Sequence, residues 1–245
     1  MPQLDKKKTS LRFIGWVGAG FLVILACTFI ALVVQWVSQP NPGAQAGQFF
    51  TWLLSTDRSQ VTWYVTRSAG IVAYLLLWLS TMWGLAVPSK ILSGALHGSF
   101  TFDFHEFISL LAIGFLIVHI GILLFDQYLT FSLSQVLFPF ISAYRPVWVG
   151  IGVLSFYVVL LVTVTFYLRE RIGSKAFRAI HTLSLLSFLG AALHGLFAGT
   201  DSALPAMQLI YAGTLISVVF LSAYWLAAQG LKKVRSAKAV SRPAG

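Results

Sequence analysis

Five histidines occur in the 245-residue sequence, and four of them form two pairs of nearly equal spacing. His105 and His119 are 14 positions apart; His181 and His194 are 13 apart. At about 1.5 Å of helical rise per residue, both separations come to about 20 Å. Two imidazoles that face each other at one depth can hold a planar metal complex from both sides as axial ligands. Two such pairs stacked along a bundle would form a wire. Any one of these histidines, alone on an apolar helix, reads more simply as a hydrogen-bonded helix contact. Four at matching depths point to function, because ionisable groups in lipid are expensive. The competing chemistry is proton or metal transport. It is disfavoured because Asp103, Glu106, Asp126 and Asp201 all fall at expected helix ends, which leaves the histidines without a carboxylate partner. His97 lies in a loop with no partner of matching depth.

The elements that must position these side chains follow from composition. Apolar residues make up 58% of the chain and charged residues 10%, against about 25% charged in soluble domains, so the solvent for most of the chain is the lipid bilayer. A spanning helix needs about 20 mostly apolar residues. Six intervals meet that length without an interior Asp, Glu, Lys or Arg: residues 13–37, 68–89, 107–125, 146–168, 179–200 and 202–231, the last trimmed to 205–229. The expected fold is an all-α, six-helix transmembrane bundle over residues 13–231, with a basic N-terminus at 1–12 and a basic, disordered tail at 232–245. With both termini cytoplasmic, fourteen Lys and Arg lie on the inner side and only Arg58, Arg67 and Arg145 on the outer, and the positive-inside rule makes that assignment. The net charge of +10 is then a topology signal, and nucleic acid is not an expected partner. Residues 13–37 exceed the 7–15 residues of a signal-peptide core, so they read as a retained helix despite Ala44-Gln45-Ala46 behind them. Cys27 is the only cysteine, which excludes an intrachain disulfide, a four-cysteine cluster and a CxxCH haem attachment.

Because one return helix separates the third span from the fifth, the two run in the same direction. His105 is therefore expected at the depth of His181 near the cytoplasmic side, and His119 at that of His194 near the outer side. Helical phase favours one pair only. Fourteen residues leave an offset of about 40°, whereas thirteen leave about 140°, so a kink, a bulge or different side-chain rotamers are expected to absorb it between His181 and His194, with Gly190 or Gly195 as the place for a backbone change. Phe115 and Phe188 fall between the two levels and read as packing rather than as a relay. The loops at 38–60 and 126–145 carry aromatics suited to the headgroup level.

These motifs resemble the ferric reductase-like transmembrane domain family, which includes ferric reductases, NADPH oxidases and MsrQ-type haem subunits. The resemblance rests on Phe104-His105-Glu106 through Val118-His119, on Arg178-Ala179-Ile180-His181 through His194-Gly195, and on Thr66-Arg67-Ser68-Ala69-Gly70 in the second span. It covers residues 63–224, and the family carries the same 14 and 13 spacing. The resemblance implies two b-type haems on His105, His119, His181 and His194, in a multi-pass protein of a bacterial plasma membrane. It also implies Arg67 beside the propionates of the outer haem, where the plainer reading is a snorkelling charge at a helix end. Arg178 is its candidate counterpart at the inner haem, or an ordinary positive-inside residue. The family passes electrons outward from a flavin and nicotinamide domain. Here the sequence reaches Gly245 after a basic tail, so the expected donor is a separate flavoprotein, a bound flavin or a membrane quinol. Three functions follow: an electron-transfer subunit serving ferric iron or an outer partner reductase, a direct ferric or oxygen reductase, or a non-haem transporter or assembly protein.

Overall fold

Long apolar runs in lipid have no partner for their backbone except themselves, so each run closes its own hydrogen bonds as a helix. The computed structural model describes residues 58–88, 98–126 and 129–240, and helix is the only regular structure among them. In chain order the helices are α1 (Arg58–Ala86), α2 (Gly98–Leu123), α3 (Leu133–Leu137), α4 (Pro146–Tyr167), α5 (Arg169–Ile172), α6 (Ser174–His181), α7 (Leu183–Ala198) and α8 (Pro205–Val240). Five stretches are long and apolar enough to cross a membrane: Val61–Ala86, Phe100–Leu123, Pro146–Tyr167, Ser174–Ala198 and Pro205–Ala228. This is a multi-pass membrane protein. The expected first span at 13–37, the loop at 38–57 and His97 lie outside the described residues.

Three expectations are corrected. Helix α1 begins at Arg58, so Arg67 lies within it rather than opening it; a charge is tolerated there because it is paired with Asp201. Helix α2 begins at Gly98, which puts Asp103 and Glu106 inside the helix instead of at its end, and Tyr167 Oη donates to Glu106 Oε1 at 2.7 Å. The basic tail is helical through Val240, in keeping with the helix propensity of its Lys, Arg and Ala residues.

Helix α1 packs along α2, α4 packs along α7, and α1 also meets α7 and α8. The core where they converge holds Tyr74, Leu77, Phe188, Met207, Tyr211 and Val218. Phe188 is 1% exposed and stacks on Tyr74 with centroids 5.7 Å apart, which is the packing role expected of it. Polar groups in this core are satisfied internally: Tyr74 Oη donates to Thr214 Oγ1, Trp78 Nε1 to Ser217 Oγ and Ser187 Oγ to the Ser155 carbonyl. Large apolar side chains such as Phe107, Ile117, Leu186 and Ile216 point outward. That is costly in water but is the normal surface toward lipid.

Candidate functional site

The two histidine-bearing segments, α2 and α6–α7, are not among the helix pairs in close backbone contact. Packed helices sit about 8–10 Å apart, which would leave no slot between them. Here α1 and α4 flank the gap on either side, and two cavities open in it. The larger, about 210 Å³, is lined by His119 and His194 together with Thr66, Arg67, Asp126 and Asp201. The smaller, about 170 Å³, is lined by His105 and His181 with Phe102, Glu106, Phe166 and Phe177. A single water needs about 10–15 Å³, so neither is a packing defect.

Across the gap the imidazoles pair by depth. The ring centroids of His119 and His194 are 6.3 Å apart, and those of His105 and His181 are 6.1 Å apart, both at 77° between planes. Two metal–nitrogen bonds of about 2 Å, extended by the distance from nitrogen to ring centre, place axial imidazole centroids about 6 Å apart. Both spacings fit that geometry.

The hydrogen bonds at the larger cavity fix the tautomer. His119 Nδ1 donates to the Thr66 carbonyl at 2.8 Å, and His194 Nδ1 donates to the Trp148 carbonyl at 2.9 Å. A carbonyl only accepts, so Nδ1 carries the hydrogen in each ring and Nε2 keeps the lone pair that a metal needs. At the smaller cavity, Ser109 Oγ donates to the His105 carbonyl at 2.7 Å, and Ser80 and Ser109 hydroxyls lie 2.7 Å apart. Ser80 Oγ is 3.5 Å from His105 Nδ1 and receives its hydrogen in a long contact. His181 Nδ1 is buried and has no hydrogen-bond partner among the described residues.

Glycines make room for three of the four rings. A Cβ on Gly152 would stand 2.6 Å from His194 Nδ1, one on Gly70 would stand 2.9 Å from His119 Nδ1, and one on Gly84 would stand 3.3 Å from His105 Cε1. Gly70 and Gly84 are 14 residues apart on α1, which matches the His105–His119 spacing on the antiparallel α2. That repeat is the signal by which the sequence alone could have found them. Among the described residues no glycine lies behind His181, which packs against Phe177 at 5.2 Å between centroids.

No family model, curated protein or solved structure matches this chain. Among the described residues, no three His, Cys, Asp or Glu side chains gather as a metal site. The histidines meet in twos, an arrangement that would suit a metal whose other positions belong to a macrocycle.

The interruption expected near Gly190 or Gly195 lies instead at Thr182, directly after His181, where α6 ends and α7 begins. Thr182 Oγ1 donates to the Ala179 carbonyl at 2.7 Å, and the Leu185 amide donates to the Thr182 carbonyl, a tightened turn. This step falls between the two histidines. Gly190 and Gly195 serve close approach: a Cβ there would collide with Ser155 Oγ at 2.2 Å and with Tyr211 Oη at 2.5 Å.

Of the two arginines expected near a cofactor, Arg67 lines the larger cavity in a two-point ion pair with Asp201, its Nε donating to Oδ2 and its Nη2 facing Oδ1. Arg178 is exposed and does not line the smaller cavity. Thr66 lines the larger cavity, and its buried hydroxyl has no hydrogen-bond partner among the described residues. An orphaned buried hydroxyl costs about 1–3 kcal/mol, and a polar ligand edge at this rim would relieve it.

Proposed function

We propose that this protein carries electrons across a membrane through two b-type haems, one held by His105 and His181 and the other by His119 and His194. The observation that carries the reading is the pairing itself: two imidazole pairs, at 6.1 and 6.3 Å, across a gap between helices that would otherwise pack. When bound, a bis-histidine haem supplies one-electron exchange at an iron with no open axial position. The rest of the mechanism belongs to the chain. The Thr66 and Trp148 carbonyls and the Ser80 hydroxyl contact Nδ1 of His119, His194 and His105 and so orient these rings. Gly70, Gly84 and Gly152 let the rings lie against the helix backbones. The core around Tyr74, Phe188 and Tyr211 is buried, and Tyr74 and Tyr211 give the larger cavity part of its wall.

In this reading the donor is a reduced flavin or a quinol on the Lys- and Arg-rich side, taken as cytoplasmic. The acceptor, ferric iron or a partner reductase, meets the other side, where Arg67 and Asp201 lie. Coordinatively saturated iron favours outer-sphere delivery over direct binding of oxygen or substrate. Purified protein should give a b-type spectrum, dithionite-reduced minus oxidised. A His119→Ala, His194→Ala double variant should lose about half of that signal. Wild-type protein lacking the bands, or a double variant keeping them unchanged, would overturn the assignment in favour of a transporter or assembly role.

A further inference from the structure

Arg67 has a partner that haem binding does not require. Asp201 follows His194 by seven residues, in the turn after α7, and that turn is fixed by Ser202 Oγ donating to the Gly199 carbonyl at 2.8 Å and by the Leu204 amide donating to the Asp201 carbonyl at 2.9 Å. The Asp201 carboxylate meets the Nε and Nη2 edge of Arg67. The guanidinium also stands 5.3 Å over the Trp63 ring. A guanidinium has five N–H donors, and the fork uses one edge of them. The Arg67 and Asp201 side chains are 29% and 20% exposed, so salt screens this pair less than it would a surface pair. Arg67, Asp201, His119 and His194 all line one cavity.

We infer that Asp201 is a positioning residue for the haem between His119 and His194, holding Arg67 at the cavity rim and offsetting its charge, so that the ion pair sets that haem's reduction potential. The inference rests on the haem reading above. Electrostatics gives the signs. Reduction adds one electron at the iron; a nearby cation favours it and a nearby carboxylate opposes it. Asp201→Asn keeps a side chain that can accept from Arg67 but removes the negative charge, so the potential rises. Arg67→Gln removes the positive charge, so the potential falls. The two changes together leave the local charge as it began. Asp126 lines the same cavity and is constant across the series.

The test is a spectroelectrochemical titration of the purified, haem-loaded full chain. The component that disappears in His194→Ala identifies the haem concerned. D201N should shift that component upward by about tenfold in the reduction equilibrium, which is about 59 mV for one electron. R67Q should shift it downward by a similar factor, and R67Q/D201N should return it close to wild type. The component held by His105 and His181 should move much less in every variant. R67Q against R67Q/D201N reads the Asp201 charge where no ion pair is left to break, so the comparison survives a poorly folding D201N. Unchanged potentials in a protein that shows both haems would overturn this inference alone, as would shifts of one sign in D201N and R67Q or equal shifts of both components. A wild-type protein without b-type bands would overturn the haem reading and this inference with it.

Discussion

The two histidine pairs share a spacing but not a setting. At the His119–His194 pair each Nδ1 is held by a backbone carbonyl, at 2.8 and 2.9 Å, and each ring lies against a glycine. Among the described residues, one Nδ1 of the His105–His181 pair has a 3.5 Å contact to Ser80, the other has no partner, and only His105 has a glycine behind it. Groups that orient a metal-ligating histidine are commonly worth 10- to 100-fold in metal affinity. The first pair is thus preorganised by main chain that a point mutation cannot remove. The second depends on one hydroxyl and on a ring seated at a helix break. If both pairs hold haem as proposed, the first would hold it the more rigidly.

The largest expected effect separates the pairs outright. His194→Ala should remove the haem between His119 and His194 while leaving the other, and His181→Ala should do the converse. Haem-to-protein ratios and the two components of a redox titration read this directly. Loss of both haems from either variant would mean that the two cavities do not form independent sites.

A smaller, sharper contrast comes from the glycines. Gly152→Ala places a methyl 2.6 Å from His194 Nδ1, which is backed by main chain and cannot yield, whereas Gly84→Ala places one 3.3 Å from His105 Cε1, where a few tenths of an ångström suffice. Overpacking of the first kind costs about 1–3 kcal/mol. G152A should therefore lose most of its haem at the His119–His194 site, and G84A should retain nearly all of it at the other. Difference spectra of the two variants, purified in parallel, check the ordering. A reversed order would mean that the carbonyl-held rings are the mobile ones.

Much of this was legible in the chain. Apolar runs of sufficient length marked the described spans, and the end of the fourth was placed within one residue, because Pro146 opens it and Leu168 meets the charged segment behind it. The depth pairing of the histidines followed from counting return helices. What stayed hidden depended on tertiary contact. Arg67 and Glu106 were assigned to helix ends because charge was assumed to stop a span; Asp201 and Tyr167, 134 and 61 residues away in sequence, are what let those helices extend past them. Glycine marks a helix break in sequence, yet the break falls at Thr182, whose hydroxyl donates to the Ala179 carbonyl. Periodicity can say that 13 residues do not fit one straight helix, but not which residue yields.

The finest prediction concerns Ser80. Its hydroxyl links His105 Nδ1 to Ser109, which in turn donates to the His105 carbonyl, so Ser80→Ala removes the one side-chain contact that orients this ring. At 3.5 Å that contact is weak, so the loss of haem affinity at the His105–His181 site should fall near the low end of the range for orienting groups, about tenfold. The Ser109 hydroxyl loses a partner as well but can still donate to the carbonyl, so the fold should stand. Competition for haem by apo-myoglobin, followed as a transfer rate from each site, reads the difference without requiring activity. S80A should speed loss from this site only. An equal rate change at the His119–His194 site would show that the two settings are coupled through α1, and that the contrast between a rigid and a yielding pair is not local.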